Sequence, residues 1–301
     1  MNDGGLGTPQ QGPPRLDAMP VPFLHSPNIL FDTVVDRTER LSPGFLRLTL
    51  AGASLADFAP YERDQRIKIL LPGDDGAYPE GLHDGLPEHA WRRAWRALPP
   101  ADRPVMRSYT AHRVRPAQQE VDLDVFIHEP AGPASRWALG ARVGDRLLVS
   151  GPDIRRGDPT HGVQWAPGTA TTVLIAADET AFPAVHGILR SLDEDVRAHV
   201  LLELGDPADT ALLGPLLERH TVDVHERAGQ AGGEALVAGV EQWLRTHGSS
   251  AATLGTGFAA WLVTESTRIP LLRAATTDHG IDPERVHGQG YWNARPRATP
   301  E

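Results

Sequence analysis

The chain contains no cysteine among its 301 residues. This absence excludes disulfide bonds, metal sites built on thiolates, and iron–sulfur clusters held by the chain's own cysteines. An electron-transfer centre would therefore have to be an organic cofactor or a metal held by histidine and carboxylate side chains. The 13 histidines are scattered along the sequence without a His-x-x-Glu-His or similar cluster, so we predict no protein-bound metal.

Lysine and long apolar runs are scarce as well. Lys68 is the only lysine, and the 29 basic residues are outnumbered by 39 acidic ones, which gives a formal net charge of −10. With no basic run to reverse that charge, the composition argues against nucleic-acid binding. No apolar stretch has the length of a membrane span, and the N-terminus lacks the features of a signal peptide. We therefore expect a cytoplasmic monomer without membrane insertion.

The length allows two domains with ordinary cores. Six β-prone runs separated by turns precede residue 152 and predict a small antiparallel barrel. After residue 170, strands alternate with predicted helices over 181–192, 208–219, 234–245 and 266–279, which indicates a doubly wound parallel sheet. The predicted order is a disordered tail (1–28), a β-barrel domain (29–152), a linker (153–169), an α/β nucleotide-binding domain (170–293) and a C-terminal tail (294–301).

Within the barrel domain, Arg107-Ser108-Tyr109-Thr110 lies in a strand-like run that opens at Val105. Alternation along a strand places Arg107 and Tyr109 on one face and the two hydroxyl residues on the other. A forked guanidinium suits a phosphate, and a flat ring suits stacking on a flat heterocycle. This piece therefore offers contacts to both ends of a nucleotide.

A second piece follows the strand-like run 121–128 and reads Gly132-Pro133-Ala134-Ser135-Arg136-Trp137. Gly-Pro forms a turn, and the small residues after it let the backbone N–H groups of a helix start approach an anion. Together the two pieces predict a pyrophosphate and a planar ring, as in a flavin or adenine nucleotide. The alternative is a β-hairpin with an exposed arginine and a core tyrosine, because such short pieces recur by chance.

Further pieces occur in a fixed order around these two. They are Phe126-x-His128, Gly144-Asp145-Arg146, Gly151-Pro152, Asp178-Glu179-Thr180-Ala181-x-Pro183-Ala184 and Gly290-Tyr291-Trp292. In this combination the sequence resembles the siderophore-interacting protein family over residues 29–293. The members are FAD-dependent, ferredoxin-reductase-like ferric-siderophore reductases of bacteria. The resemblance implies FAD and NADPH (or NADH) as cofactors and a ferric siderophore as substrate.

The resemblance also implies roles for individual residues. It places FAD on Arg107, Ser108, Tyr109, Thr110, Phe126, His128, Gly132, Pro133, Ala134, Ser135 and Trp137. It places the nicotinamide beside Asp178, Glu179 and Thr180, although the same turn is also an ordinary capped helix start. Tyr291 and Trp292 would cover the flavin or merely close the core.

One turn departs from the family pattern. The usual Trp-x-x-Gly-Glu reads Trp261-Leu262-Val263-Thr264-Glu265 here, and we expect the Cβ and hydroxyl of Thr264 to narrow the approach of the nicotinamide. Glu265 keeps its place in the predicted nucleotide site. The nearby Gly255-Thr256-Gly257-x-x-Ala260 matches a dinucleotide-binding fingerprint, which we discount because it lies late in its domain rather than on the first βα turn.

Three basic residues are candidates for anionic ligands. Arg227, after the third strand of the α/β domain, would take the 2′-phosphate of NADPH or be a solvated surface arginine. Arg66 and Lys68 share one strand face, and we predict that they meet an anionic siderophore. The alternative is a solvated barrel face.

The sequence thus predicts an FAD-dependent reductase that passes electrons from NAD(P)H to the Fe(III) of a ferric siderophore. Two other functions stay open: a different NAD(P)H-flavin oxidoreductase of the ferredoxin-reductase type, and a non-catalytic flavin- or siderophore-binding protein.

Overall fold

Seven strands of the first half form one antiparallel sheet in the order β4-β3-β7-β1-β2-β6-β5. The computed structural model describes residues 26–157 and 161–294, so most of the two predicted tails and residues 158–160 of the predicted linker lie outside the described residues. The strands are β1 (Asn28–Ser42), β2 (Phe45–Ala51), β3 (Arg66–Leu70), β4 (Met106–Thr110), β5 (Arg113–Arg115), β6 (Glu120–Phe126) and β7 (Arg146–Pro152). The short β5 was not predicted.

This sheet curls around an apolar cluster, and β4 also approaches β6 across the open side. The sheet curls so that the apolar face of its strands is enclosed. In β3, for example, Ile67 and Ile69 are buried in the cluster, whereas Arg66 and Lys68 point outward. The predicted antiparallel barrel is therefore confirmed as a half-open barrel, with β4 as an edge strand.

Two helices complete the first domain. The first, α1 (Glu88–Ala97), buries Trp91 against leucines on the outer face of β1, β3 and β7. Trp95 and Leu98 pack against the same cluster, so the aromatic side chains of this helix serve as core packing. The second, α2 (Pro133–Gly140), places Ala134 and Ala138 in the inner cluster of the barrel.

The second half is a five-stranded parallel sheet in the order β10-β9-β8-β11-β12, with helices on both faces. Its three central strands, β8, β9 and β11, are largely apolar and buried on both sides, as expected for parallel sheets. This confirms the predicted doubly wound fold. The elements are β8 (Thr172–Asp178), α3 (Phe182–Arg190), β9 (Arg197–Leu204), β10 (Thr221–Glu226), α4 (Glu234–Leu254), β11 (Phe258–Glu265), α5 (Ile269–Asp278) and β12 (Val286–Trp292).

Two helix predictions within this domain were wrong in detail. The helix predicted over 208–219 is two 3₁₀ helices, Pro207–Leu212 and Gly214–Arg219, because Gly214 has a φ of +44° and the proline after it cannot continue an α-helix. The helix predicted over 234–245 continues to Leu254. Gly255–Gly257 is a single 3₁₀ turn between a helix and a strand, which agrees with discounting the fingerprint there.

The two domains dock closely. The Phe45 and Phe182 rings stack with centroids 5.8 Å apart. Asp209 accepts hydrogen bonds from the Ser42 hydroxyl at 2.6 Å and the Gly44 amide at 2.8 Å. Gly187 of α3 lies against the backbone of Arg63, where a Cβ would be 2.5 Å from the carbonyl oxygen. These contacts leave little freedom between the barrel and the parallel sheet.

Two histidines lie in this domain interface. The His112 and His186 rings are 4.5 Å apart, and His112 Nδ1 lies 3.2 Å from a buried Asp124 oxygen. Arg47 already donates to both oxygens of Asp124, at 2.7 and 2.8 Å. Burial, aided by nearby arginines, lowers the pKa of His112 to about 3. Burial and the neighbouring His112 lower the pKa of His186 to about 4, so both rings are neutral in the folded protein.

The neutral pair predicts acid sensitivity of the domain interface. The folded-state pKa values lie below the ordinary value of 6.5, so the unfolded chain binds protons first as the pH falls. The stabilising effect is complete above about pH 6.5 and declines toward pH 4, by about 1.4 kcal/mol per pH unit for each histidine. We expect His186→Gln to flatten this dependence by about that amount, measured by urea unfolding between pH 7 and 4.5. The exposed His83→Gln is the control, and an equal slope in all three proteins would contradict the prediction.

Candidate functional site

The edge strand β4 carries the predicted Arg-Ser-Tyr-Thr piece. Its register pairs Arg107 with Ile69 and Tyr109 with Ile67, so the two residues share one face of the strand, as predicted, and this is the inner face. Tyr109 packs against the barrel cluster, and burial raises the pKa of its hydroxyl to about 12. Arg107 is exposed and donates from Nη1 to the Met106 carbonyl at 2.9 Å. A guanidinium and an aromatic ring thus stand together at an open sheet edge.

The start of α2 is an uncapped helix N-terminus. Gly132 is the N-cap residue in an extended conformation, and no side chain caps the helix. The backbone N–H groups of Ala134 and Ser135, in the first turn, therefore have no acceptor within the helix, while the Ser135 hydroxyl donates to the Phe126 carbonyl at 3.3 Å. A Cβ at Gly132 would lie 3.4 Å from His128 Nε2. Uncapped amides beside small residues are donors that fit a pyrophosphate.

Both pieces pack on the same apolar cluster, through Tyr109 from β4 and through Ala134 and Trp137 from α2. The Phe126 and His128 rings lie 6.4 Å apart at the end of β6. Arg107, Tyr109 and the start of α2 thus lie on the inner side of the half-barrel, whereas Ser108 and Thr110 lie on the opposite face of β4 beside Lys68 and Arg66. The guanidinium, the ring and the helix-start amides are a donor set that fits FAD.

The outer face of the same strands carries the two basic residues predicted for the substrate. The register pairs Arg66 with Thr110 and Lys68 with Ser108, and Lys68 Nζ donates to the Ser108 hydroxyl. Burial, followed by the charges of Arg66 and Arg92, lowers the pKa of Lys68 to about 8. Arg66 and Lys68 thus form a cationic stripe on β3, next to the edge strand β4.

The carboxyl end of the parallel sheet is built around Asp178, which is 1% exposed. Its Oδ1 accepts from the Thr180 amide at 3.0 Å and from the Thr180 hydroxyl, which makes it the N-cap of the following turn. Its Oδ2 accepts from the Thr264 hydroxyl and from the Trp292 indole N–H, each at 2.8 Å. Burial raises the pKa of Asp178, and these four donors stabilise its ionised form.

The bond to Asp178 corrects one expectation. Thr264 is wholly buried and turns its hydroxyl to Asp178, so its side chain does not narrow the cleft directly. Any effect of Thr264 on a bound nucleotide would have to pass through Asp178 and the other residues that are hydrogen-bonded to it.

Arg227 lies between two buried carboxylates and is therefore not a solvated surface arginine. Its Nε donates to Glu203 at 2.9 Å, and its Nη2 donates to Glu179. Glu203 also accepts from two backbone N–H groups at the start of α4, and Glu179 accepts from the Gly205 amide at 2.7 Å. The role of Arg227 toward a 2′-phosphate stays a prediction, and it would have to compete with both carboxylates.

Glu265, at the end of β11, is also buried, and it accepts from the Thr267 and Ala294 amides at 2.7 and 3.1 Å.

Sequence reasoning missed the role of Glu203. A single carboxylate within the apolar run of β9 was the available signal, because a buried charge requires partners.

The end of β12 joins the two domains. The Tyr291 side chain lies near that of Thr110 and packs against the cluster that contains Phe45 and Phe182. Its ring contacts Trp261 edge-on at 6.0 Å. The next residue, Trp292, reaches Asp178. The predicted flavin strand and the predicted nicotinamide turn are thereby connected through two consecutive residues.

Two further features concern the described residues, 26–157 and 161–294. No group of three or more histidine and carboxylate side chains there is placed to hold a metal ion. No helix in these ranges is long and apolar enough to cross a membrane.

Comparison with known proteins agrees with this geometry. Residues 34–156 match the family model of the siderophore-interacting FAD-binding domain, and residues 170–295 match that of the siderophore-interacting protein. The chain is 27% identical over 265 residues to the mycobactin import ATP-binding/permease protein IrtA of Mycolicibacterium smegmatis, which covers 86% of this chain and 25% of that protein. It is 26% identical over 266 residues to the NADPH-dependent ferric-chelate reductase of Escherichia coli, covering 88% and 93%.

A solved structure shows the same fold. The siderophore-interacting protein SipS from Aeromonas hydrophila matches with a TM-score of 0.66 and 24% identity, covering 89% of this chain and 93% of that one. The chain spans between 25% and 58% of the length of several of the curated relatives that it matches.

The exposed guanidinium on β4 gives the first test of the site. We expect Arg107→Ala to raise the dissociation constant for FAD at least tenfold, because a charge-assisted hydrogen bond contributes about 1.5–3 kcal/mol. Flavin fluorescence quenching on titration of the apoprotein measures this. Arg96→Ala, an exposed arginine on α1, is the control for surface charge. Unchanged affinity in Arg107→Ala would remove Arg107 from the flavin site.

Proposed function

Because the chain belongs to the siderophore-interacting protein family, we propose that it is an FAD-dependent reductase that passes electrons from NAD(P)H to the Fe(III) of a ferric siderophore. The observation that carries this proposal is the junction at Tyr291, where the Arg-Ser-Tyr-Thr edge strand meets the carboxyl end of the parallel sheet. Ligands of open parallel sheets bind at such carboxyl ends. The name of the Escherichia coli relative, an NADPH-dependent ferric-chelate reductase, supports the same activity.

The chain's own residues bind and orient the reactants. Arg107 and the amides of Ala134 and Ser135 would hold the pyrophosphate of FAD, and Tyr109 would flank its planar part. When bound, FAD accepts a hydride from a nicotinamide and returns electrons singly to a metal. Thr110, which is buried, and Tyr291, which packs on the cluster between the domains, would keep water out of this junction. No protein nucleophile is required.

The turn Asp178–Thr180 would receive the nicotinamide, from NADPH or NADH. Its carboxylates are buried and satisfied by donors of the chain, so we expect a ligand to meet the backbone groups and the Thr180 side chain, a surface without a free charge. Such a surface suits a neutral amide and a ribose better than a phosphate.

Arg66 and Lys68 would meet the substrate. Ferric siderophores often carry negative charge, and a basic stripe in a chain of net charge −10 concentrates positive potential beside the edge strand. Reduction to Fe(II) weakens the hold of hard oxygen donors, so the iron is released for use.

An anaerobic visible spectrum tests the activity. We expect the FAD-loaded protein to lose its flavin absorption on addition of NADPH or NADH, and to regain it on addition of a ferric siderophore while a chelator traps Fe(II). A flavin band that persists with both nucleotides would favour the binding-protein alternative. A flavin that bleaches but is reoxidised only by other acceptors would favour a different oxidoreductase.

The substrate stripe predicts a pH effect. The pKa of Lys68 is lowered to about 8, so its positive charge is present below that pH and lost above it. We expect the KM for an anionic ferric siderophore to rise about tenfold in Lys68→Gln. It should also rise in the wild type between pH 7 and 9.5. Lys68→Arg should keep the low KM and lose the pH dependence, while the rate of flavin reduction by nucleotide stays unchanged in all three. An unchanged KM in Lys68→Gln would refute this role.

A further inference from the structure

We propose that the Trp292 indole is a gate across the nucleotide crevice, and that Asp178, Thr264 and Gly232 are the positioning residues that hold it closed. The proposal rests on the proposed function, because it concerns access of the nicotinamide nucleotide. It assigns a purpose to the Asp178 carboxylate, whose bonds all go to groups of the chain itself.

The indole lies where a ligand of this fold would lie. Trp292 is the last residue of the edge strand β12, yet its N–H bonds Asp178 at the end of β8, on the far side of β11. The outer edge of its benzo ring faces Gly232 in the loop before α4. The side chain therefore spans the carboxyl ends of the strands, which is the crevice that open parallel sheets use for ligands.

The anchoring oxygen is shared. Asp178 Oδ2 accepts from both the Trp292 indole and the Thr264 hydroxyl, and Oδ1 accepts from the Thr180 amide and hydroxyl. These four bonds to the carboxylate all come from neutral donors, so its orientation depends on them. The Thr264 hydroxyl, at a position where glycine was expected, thus fixes the oxygen that holds the indole.

Gly232 leaves the space that the Trp292 indole occupies. A Cβ at this residue would lie 2.4 Å from Trp292 Cζ2 and 2.6 Å from Cη2, so any side chain there forces the indole to move. The backbone of Gly232 does not have a positive φ, and alanine is therefore tolerated by the backbone itself. Gly257, with no contact closer than 3.8 Å, is a matched control in the same domain.

The first readout is the indole itself. The seven tryptophans give up to seven indole N–H signals in a ¹⁵N–¹H spectrum, and the signal missing from Trp292→Phe belongs to residue 292. In the full chain, with and without FAD, we expect this proton to exchange slowly in the wild type. Exchange should be at least tenfold faster in Gly232→Ala and faster in Thr264→Val. Thr264→Ser, which keeps the hydroxyl, and Gly257→Ala should match the wild type.

The second readout is reduction of bound flavin in a stopped-flow instrument. With the gate released, Gly232→Ala and Trp292→Phe should show a KM for NADPH or NADH that is roughly tenfold lower, while reduction by dithionite and the KM for the ferric siderophore stay unchanged. Rapid exchange of the wild-type Trp292 proton would overturn the proposal, and so would slower nucleotide reduction in both variants, which would make the indole a stacking platform.

Reduction of the wild type and of Trp292→Phe by nucleotide distinguishes failure of the gate from failure of the reductase activity. Reduction of the wild type at a normal rate with no gain in the variants overturns the gate alone. Reduction of Trp292→Phe but not of the wild type supports the gate and the activity together. Failure of both proteins to be reduced by either nucleotide, with dithionite reduction intact, overturns both.

Discussion

The packing of α3 against the outer face of β2 and β6 is the contact on which the rest of the structure depends. Phe182 stacks on Phe45, and the backbone of Gly187 touches that of Arg63. Burying each phenylalanine contributes about 1.5–3 kcal/mol, and the absence of a side chain at Gly187 permits the close approach. Neither domain contains the whole candidate site. The strand β4 belongs to the barrel, whereas Asp178 and Trp292 belong to the parallel sheet. Only a fixed docking of the two makes them one site.

The features that could be predicted from the sequence depend on local periodicity. The alternation of β3 places Ile67 and Ile69 inside and Lys68 outside, and the same rule gives the two faces of the Arg-Ser-Tyr-Thr strand. The Asp178 N-cap and the start of α2 at Pro133 follow from side-chain and ring chemistry that acts within three residues. In these segments local preference and tertiary structure agree. The order of motifs then indicated the family, which no single strand or turn could do.

The features that could not be predicted are partnerships between distant residues. Asp178 and Trp292 are 114 positions apart, and Glu203 accepts from the N-cap residue of α4, which lies 30 positions later. Sequence shows that a carboxylate in an apolar strand needs donors, but the choice among donors is made by the topology of the sheet. The same holds for Thr264, whose hydroxyl was expected in the cleft and instead bonds Asp178. The 3₁₀ segments after β9 differ for another reason, since a positive φ at Gly214 interrupts an otherwise helical pattern.

The charge distribution shows why composition alone describes this site poorly. The chain carries ten more acidic than basic side chains, yet Asp178, Glu179 and Glu203 are buried and bonded to internal donors. Each such carboxylate is removed from the surface that a ligand meets. The guanidinium of Arg107 and the stripe of Arg66 and Lys68 lie at the surface of β4 and β3. An acidic protein can therefore present a basic face to an anionic cofactor and an anionic substrate, because local potential depends on which charges face the ligand rather than on their sum.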